Sequence, residues 1–253
     1  MLGQKRIEES INTARKTGSA IIPFITAGYP KKETFLELIE ELSLCSDVIE
    51  IGVPFSDPMA DGVTIQRSSQ IAIESGVNLK WIFEQLKSVQ INTPIVLMSY
   101  LNPLYVFGYN ELAEESKSAG VDGFIVPDLP IEECDDLRQI LNSNGLGLIQ
   151  LVTPATSESR IKEIADKSSG FLYAVTVKGV TGGDQSLSSE VITYLETVKS
   201  LSSIPVCAGF GVRSNSDVVL LERFVDGVIV GSALVEAIES GLSAKKFLNS
   251  IIS

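Results

Sequence analysis

The chain has 253 residues, of which 44% are hydrophobic and 21% charged, and 32 acidic against 20 basic residues give a formal net charge of -12. This length allows one large α/β barrel or two small domains. The acidic charge argues against nucleic acid as the main partner, because phosphate binding requires a basic surface, and no apolar run approaches the roughly 18 residues of a membrane span. We therefore expect a globular protein that neither crosses a membrane nor binds nucleic acid.

The sequence contains no histidine. This excludes Ser-His-Asp and Cys-His nucleophiles, imidazole bases and most catalytic zinc sites, so any proton transfer would depend on carboxylates, lysine, tyrosine or water. Cys45, Cys134 and Cys207 lie far apart in apolar stretches, which is typical of buried thiols in a reducing cytosol. The first ten residues soon turn polar and acidic, unlike a secretory signal peptide, and we expect a cytoplasmic location.

Short apolar segments alternate with amphipathic segments along the chain. A helix is predicted over residues 4–16, ahead of the first strand. The predicted strands are 20–25, 47–51, 95–99, 122–126, 147–152, 171–176, 204–208 and 226–230. Because their apolar residues are nearly continuous, they are typical of parallel strands that are covered on both faces. Helical spacing occurs between them, as in Phe35, Leu38, Ile39 and Leu42.

Eight strand-then-helix units in a chain of this length predict an α/β fold, a (β/α)8 TIM barrel with an extra N-terminal helix. We expect residues 1–253 to form a single domain, because no low-complexity tract or Pro/Ser-rich linker interrupts them. The helix over 4–16 is expected to close the barrel floor. A doubly wound open sheet is the alternative. In a barrel, catalytic residues lie at the carboxyl ends of the strands.

Two connections are expected to be long and functional, one over 52–78 and one over 177–190. Glu50 lies just before the first, pointing either into the barrel or under a helix, and both surroundings are apolar. Residues 33–66 contain eight acidic residues and no Lys or Arg. Without a nearby cation, Glu50 is predicted to have a raised pKa and to exchange a proton near neutrality. Alternatively, backbone amides or water at the barrel rim form hydrogen bonds with Glu50, and Asp57 and Asp61 only form turns.

Glycines follow three of the predicted strands, at Gly179–Gly183, Gly209–Gly211 and Gly231-Ser232. Backbone amides at such turns and at helix N-termini bind oxyanions, and barrels often bind phosphate after strands seven and eight. We therefore predict a phosphate site that is built from amide donors. The segment Asn102–Tyr109, which is apolar and aromatic for a loop, either covers the barrel or contacts a partner protein.

Several stretches of the sequence resemble the tryptophan synthase α subunits, and the resemblance runs almost from end to end. These stretches are PFITAGYP (23–30), DVIEIGVPFSDPMADGVTIQ (47–66), MSYLNPL (98–104), GVDGFIVPDLP (120–130), YAVTVKGVTG (173–182), AGFGV (208–212) and VGSALV (230–235). The segment 47–66 is the most specific of them, because related phosphate-binding barrels do not share it.

The resemblance implies the retro-aldol cleavage of indole-3-glycerol phosphate to indole and glyceraldehyde 3-phosphate, without a metal or organic cofactor on this chain. Glu50 matches the general acid/base that protonates indole C3, and Asp61 matches the carboxylate that stabilises the indole N–H. The matching substrate-pocket residues are Phe24, Tyr100, Ile125, Tyr173 and Thr181. The matching phosphate contacts are Gly182, Gly211 and Ser232.

The resemblance also implies an αββα complex, in which indole passes to a β subunit that carries pyridoxal phosphate (PLP). The matching residues of the signalling loop are Pro54, Phe55 and Asp57, and Asn102 matches the docking surface. Residues 177–190 match a lid over the substrate. Two departures, Val63 in place of a common proline and Val177-Lys178 where some members have arginine, leave the matched catalytic positions unchanged.

Other functions are compatible with the same residues. A Schiff-base aldolase could use Lys178, which follows the sixth predicted strand. A non-catalytic regulatory subunit would keep the partner-binding segments and only activate a β subunit. A free-standing lyase would release indole rapidly without any partner.

Overall fold

A closed parallel barrel forms the centre of the computed structural model, which describes residues 2–176, 187–209 and 211–252. Its strands follow one another in chain order, and the eighth pairs with the first. They are β1 (Ala20–Thr26), β2 (Ile49–Gly52), β3 (Ile95–Met98), β4 (Val121–Ile125), β5 (Gly147–Val152), β6 (Leu172–Val175), β7 (Val206–Gly209) and β8 (Gly227–Val230). The closure confirms the predicted barrel, and the open-sheet alternative is wrong.

Helices surround the barrel, and a 3-10 turn covers Lys32–Thr34. The α-helices are α1 (Gly3–Ala14), α2 (Phe35–Ser43), α3 (Val63–Glu74), α4 (Leu79–Leu86), α5 (Leu101–Phe107), α6 (Tyr109–Ser118), α7 (Asp135–Ser143), α8 (Glu158–Lys167), α9 (Ser189–Leu201), α10 (Asn215–Leu221), α11 (Ser232–Glu239) and α12 (Ala244–Ile252). All four apolar residues whose spacing predicted α2 are buried.

Alternate residues of each strand separate an inner core from an outer one. Ile49 and Ile51 face the helices, whereas Val48 faces the barrel interior with Ile22 and Val96. Ile7 and Ile11 of α1 are fully buried in this inner core. The extra helix therefore closes the floor of the barrel, as the sequence predicts.

Two buried carboxylates at the amino-terminal end of the barrel face cations. Asp122 is 2.8 Å from Arg6 of α1 and also accepts a 3.0 Å hydrogen bond from the backbone of Ile95. Asp226 forms an ion pair with Arg15 at 2.8 Å and with Lys199. These pairs offset the desolvation of the two carboxylates and tie α1 and α9 to the strands.

Two segments that the sequence predicts as loops contain helices. The connection over 52–78 includes α3, whose buried face carries Ser68 and Ser69, so its apolar periodicity is weak. The segment 102–109 lies mostly in α5, where Pro103 occupies the first turn, a position that tolerates proline. The backbone of Leu101 donates a 2.8 Å hydrogen bond to Asp128. This cap comes from a distant part of the chain, so the local sequence does not predict the start of the helix.

Candidate active site

A cavity of about 240 Å³ opens at the carboxyl end of the barrel. Its polar side chains are Glu50, Asp61, Tyr173 and Ser232. The larger apolar side chains of its wall are Phe24, Ile65, Met98, Pro127, Leu151, Val175, Val212 and Ile229. A flat apolar ligand with a few polar groups would fit such a lining.

Glu50 lies on the inner face of β2, in register with Phe24 of β1 and Val96 of β3. Its side chain is 1% exposed, and its Oε2 atom has no hydrogen-bond partner among the described residues. No ion pair in the described part of the chain includes it. Burial, assisted by the charge of Asp61, raises the pKa of Glu50 to about 8. At neutral pH this carboxyl group therefore carries a proton inside the cavity.

Asp61 reaches the cavity from the turn over 53–62, between β2 and α3. The Tyr100 hydroxyl accepts a 2.8 Å hydrogen bond from the backbone of Ala60 and donates one to the Asp61 carboxylate. Burial raises the pKa of Asp61, and the bond from Tyr100 opposes that shift. The ring of Phe55 stacks on Tyr100 with centroids 5.1 Å apart. The turn is thus held to the start of α5, and Tyr100 supports Asp61.

Two glycines make room for the aromatic rings of the cavity. A Cβ atom at Gly209 would lie 2.5 Å from the hydroxyl oxygen of Tyr173, and one at Gly52 would lie 2.5 Å from Cζ of Phe24. Burial, with the nearby Glu50 charge, raises the pKa of Tyr173 well above its usual value. Tyr173 therefore stays a neutral hydrogen-bond donor beside Glu50.

The other end of the cavity is rich in backbone donors. Gly211 has a φ of +63°, a left-handed conformation that favours glycine. Gly231 precedes α11, which begins at Ser232 without a side-chain cap, so the first-turn amides can bind an anion. Gly211, Gly231 and Ser232 all line the cavity.

The remaining predicted site residues lie around the cavity or beyond it. Ile125 is fully buried in the barrel core and does not appear in the cavity lining. Pro54 is buried, Asp57 and Asn102 are exposed, and Asp57 accepts a 2.5 Å hydrogen bond from Ser56. Thr181, Gly182, Val177 and Lys178, with residues 177–186 of the predicted lid, lie outside the described residues.

Sequence reasoning missed most of the apolar wall. Met98, Leu151, Val175 and Ile229 are inward-facing residues at the carboxyl ends of their strands. Strand alternation would have identified them, because every second residue of a barrel strand faces inward. Val212 comes from the segment between β7 and α10, and Ile65 lies in α3, whose apolar periodicity is weak.

Four large apolar side chains are exposed on the turn that carries Asp61 and on the two helices next to it, α3 and α5. They are Met59 (83% exposed), Val63 (80%), Tyr105 (69%) and Val106 (75%), and we call them the apolar rim patch. The first two belong to the turn over 53–62 and the start of α3, and the other two belong to α5. Such a patch is typical of a protein–protein contact surface.

No cluster of three or more potential metal-ligating side chains occurs within the described ranges. Cys45 is half-buried, Cys134 and Cys207 are buried, and all three thiols are free. None of the helices in this part of the chain is long and apolar enough to cross a membrane.

Comparison with known proteins identifies the family. The family model described as tryptophan synthase alpha chain matches residues 11–250. The chain belongs to the tryptophan synthase alpha chain family. A member from Bacillus anthracis is 44% identical over 242 residues, covering 94% of this chain and 93% of that protein. One from Nitratidesulfovibrio vulgaris is 41% identical over 251 residues, covering 98% of each chain.

Solved structures give the same result for the fold. The alpha subunit of tryptophan synthase from Legionella pneumophila has a TM-score of 0.86 at 32% identity, covering 98% of this chain and 97% of that one. A tryptophan synthase complex from Pyrococcus furiosus contains a chain with a TM-score of 0.84 at 36% identity, covering 93% of this chain and 98% of that one. Membership of the family, which the sequence matches show, makes the chain a carbon–carbon lyase for the indole-3-glycerol phosphate half-reaction of tryptophan biosynthesis.

The raised pKa of Glu50 predicts how stability depends on pH. In the unfolded chain this carboxyl group ionises near 4.5, whereas in the folded chain it keeps its proton to about 8. Its contribution to stability is therefore fully present below pH ~4.5 and is lost as pH rises to ~8. The Glu50→Gln variant has no such carboxyl group and does not lose this stability. The unfolding free energy of the variant minus that of the wild type should therefore increase with pH in this window, by at most about 1.4 kcal/mol per pH unit.

Urea unfolding at a series of pH values measures the difference. Glu84→Gln, a change at an exposed position of α4, is the matched control, and its stability should follow the wild type throughout. Parallel curves for Glu50→Gln and the wild type between pH 4.5 and 8 would contradict the raised pKa.

Proposed function

We propose that the cavity cleaves indole-3-glycerol phosphate by a retro-aldol reaction, with Glu50 as the acid/base and Asp61 as the group that stabilises charge. The observation that carries the proposal is the buried Glu50 carboxyl group, which has no counter-ion and a pKa of about 8. An acid whose pKa lies near the working pH can both give and take a proton efficiently.

In the first step, Glu50 transfers its proton to C3 of the indole ring. Positive charge then develops at the indole nitrogen, whose N–H donates a hydrogen bond to the Asp61 carboxylate. Burial raises the pKa of Asp61, and the hydrogen bond from Tyr100 opposes this effect by favouring the ionised form that accepts the bond. The two carboxyl groups thus have different environments and different roles.

In the second step, the bond between C3 and the side-chain carbinol carbon breaks. Its electron pair returns to the ring and restores aromaticity, while the carbinol hydroxyl passes its proton to the Glu50 carboxylate. The carbinol carbon becomes the aldehyde of glyceraldehyde 3-phosphate. Glu50 ends the cycle protonated, so the reaction consumes no external acid or base.

The two ends of the substrate bind to opposite parts of the cavity. Phe24 and Tyr173 provide aromatic surface for the indole ring. The backbone amides at Gly211 and Ser232 bind the phosphate, which suits an acidic protein whose cavity lining contains no Lys or Arg among the described residues. By resemblance, Thr181 and Gly182 complete the pocket and the phosphate contacts.

A β subunit that carries PLP is the proposed partner, in an αββα assembly in the cytoplasm. The relative from Pyrococcus furiosus comes from a tryptophan synthase complex, and the apolar rim patch offers a docking surface of the required kind. Phe55 stacks on Tyr100, which in turn contacts Asp61. With Pro54 and Asp57, this turn connects the docking surface, which includes Asn102, to the catalytic centre.

We expect Glu50→Gln to reduce indole release by about 10²- to 10⁴-fold, because the amide cannot transfer a proton. Asp61→Asn should lose about 10²-fold, since it removes the charge that stabilises the transition state. The measurement is indole release by the purified chain, with and without a β subunit. Glycerol 3-phosphate should still bind to both variants, which serves as the control for folding.

Undiminished indole release by Glu50→Gln would contradict the assigned role. Stimulation of the β subunit without indole release by the wild type would instead indicate a non-catalytic regulatory subunit. Borohydride trapping of a triose phosphate on Lys178 would indicate the Schiff-base alternative, and high turnover without any partner would indicate a free-standing lyase.

The docking surface gives a separate prediction. Val106→Asp places a charge in the apolar rim patch, and we expect it to weaken β-subunit binding at least about tenfold, because an interface core excludes unpaired charge. Leu44→Asp is the matched control, since Leu44 is 74% exposed at the end of α2. Titration calorimetry measures both, and equal affinities would contradict the assignment.

A further inference from the structure

Two helices whose first turns border the cavity, α3 and α11, are joined by polar contacts. The hydroxyl of Thr64 on α3 donates a 2.9 Å hydrogen bond to Glu236 on α11. Three residues further along each helix, Arg67 forms an ion pair with Glu239. Residues three apart lie on the same face of a helix, so these two contacts form a continuous seam between α3 and α11.

A third element joins the seam through Glu236. Arg213, in the segment between β7 and α10, donates a 2.8 Å hydrogen bond to the second carboxylate oxygen of Glu236. The backbone of Arg213 also donates a 2.9 Å hydrogen bond to Asp217 of α10. One carboxylate therefore contacts both α3 and the segment after β7.

Each attachment point lies close to a residue that lines the cavity. Thr64 follows Asp61 by three residues and precedes the wall residue Ile65. Arg213 follows Gly211 by two residues, and Glu236 lies one turn after Ser232. The carboxylate of Glu236 thus connects the turn that carries Asp61 with both segments that carry the phosphate donors.

We propose that Glu236 is a positioning residue that sets the distance between Asp61 and the phosphate-binding end of the cavity, acting through Thr64. The inference rests on the proposed function, because that distance matters only for a ligand that reaches both ends. Indole-3-glycerol phosphate is such a ligand. Its phosphate anchors the molecule at Gly211 and Ser232, and its ring must then meet Asp61.

The seam is partly exposed, so its contribution to stability is small. The side chains of Arg213 and Glu236 are 57% and 37% exposed, and exposed ion pairs stabilise a fold weakly. Catalysis is more sensitive, because a displacement of about 1 Å at a reacting group can cost about 10²-fold in rate. The contact between Thr64 and Glu236 should therefore affect turnover more than folding.

Thr64→Val tests this role, because it removes the hydroxyl while keeping the branched shape of the side chain. We expect kcat for indole release to fall by about tenfold, with KM and the Kd for glycerol 3-phosphate within about twofold of the wild type. Thr64→Ser keeps the hydroxyl and should restore kcat to within about twofold of the wild type. Glu115→Gln is the control: it breaks the ion pair between Glu115 of α6 and Lys87, the residue that follows α4, and it should leave kcat unchanged.

The assay is run with and without a β subunit, and thermal unfolding of each variant is recorded. Equal kcat values for the Val and Ser variants would overturn the inference, and so would a parallel loss of kcat and of glycerol 3-phosphate binding, which indicates a purely structural role. Failure of the proposed function is recognised separately, since the wild type itself would then release no indole.

Discussion

The burial of Glu50 without a counter-ion is the constraint on which the account of this molecule depends. Two other buried carboxylates, Asp122 and Asp226, lie at the amino-terminal end of the barrel, and both are paired with cations. At the carboxyl end, no cation among the described residues pairs with Glu50, and the negative charge of the nearby Asp61 also disfavours a negative charge on Glu50. The ionised form is therefore disfavoured, and the group retains a proton that the reaction can use.

The barrel explains why this proton lies where a substrate can reach it. Inward positions near the floor carry apolar side chains that pack together, and α1 closes the barrel below them. Inward positions near the top meet the cavity, so Glu50 and Tyr173 project into the same space. Gly52 leaves room for the ring of Phe24, and Gly209 leaves room for the ring of Tyr173. Because every second residue of a barrel strand faces inward, the same strands provide both a packed core and a reactive pocket.

Much of this arrangement could be predicted from the sequence, because strands that are covered on both faces have a strong apolar signal. All eight strands lie within about two residues of their predicted bounds, which is the usual uncertainty of element boundaries. Alternation along the predicted strand placed Glu50 on the same face as Val48. Whether that face points into the barrel or toward the helices could not be decided from the sequence, because both faces of such a strand are apolar.

The features that the sequence did not predict depend on contacts between distant segments. The start of α5 is capped by Asp128, and Tyr100 supports Asp61 rather than lining the cavity wall. The contact between Thr64 and Glu236 joins residues 172 positions apart. No local pattern encodes such pairs, since each side chain is ordinary for its own helix. The roles of the individual site residues came from the family resemblance and stay predictions until they are measured.

The most direct test of the central claim is the protonation state of Glu50 itself, followed by infrared difference spectroscopy against Glu50→Gln over a range of pH. We predict a protonated carboxyl band at pH 6.5 that disappears with a midpoint near 8. A carboxylate band already present at pH 6, with a midpoint near the ordinary value of 4.5, would contradict it.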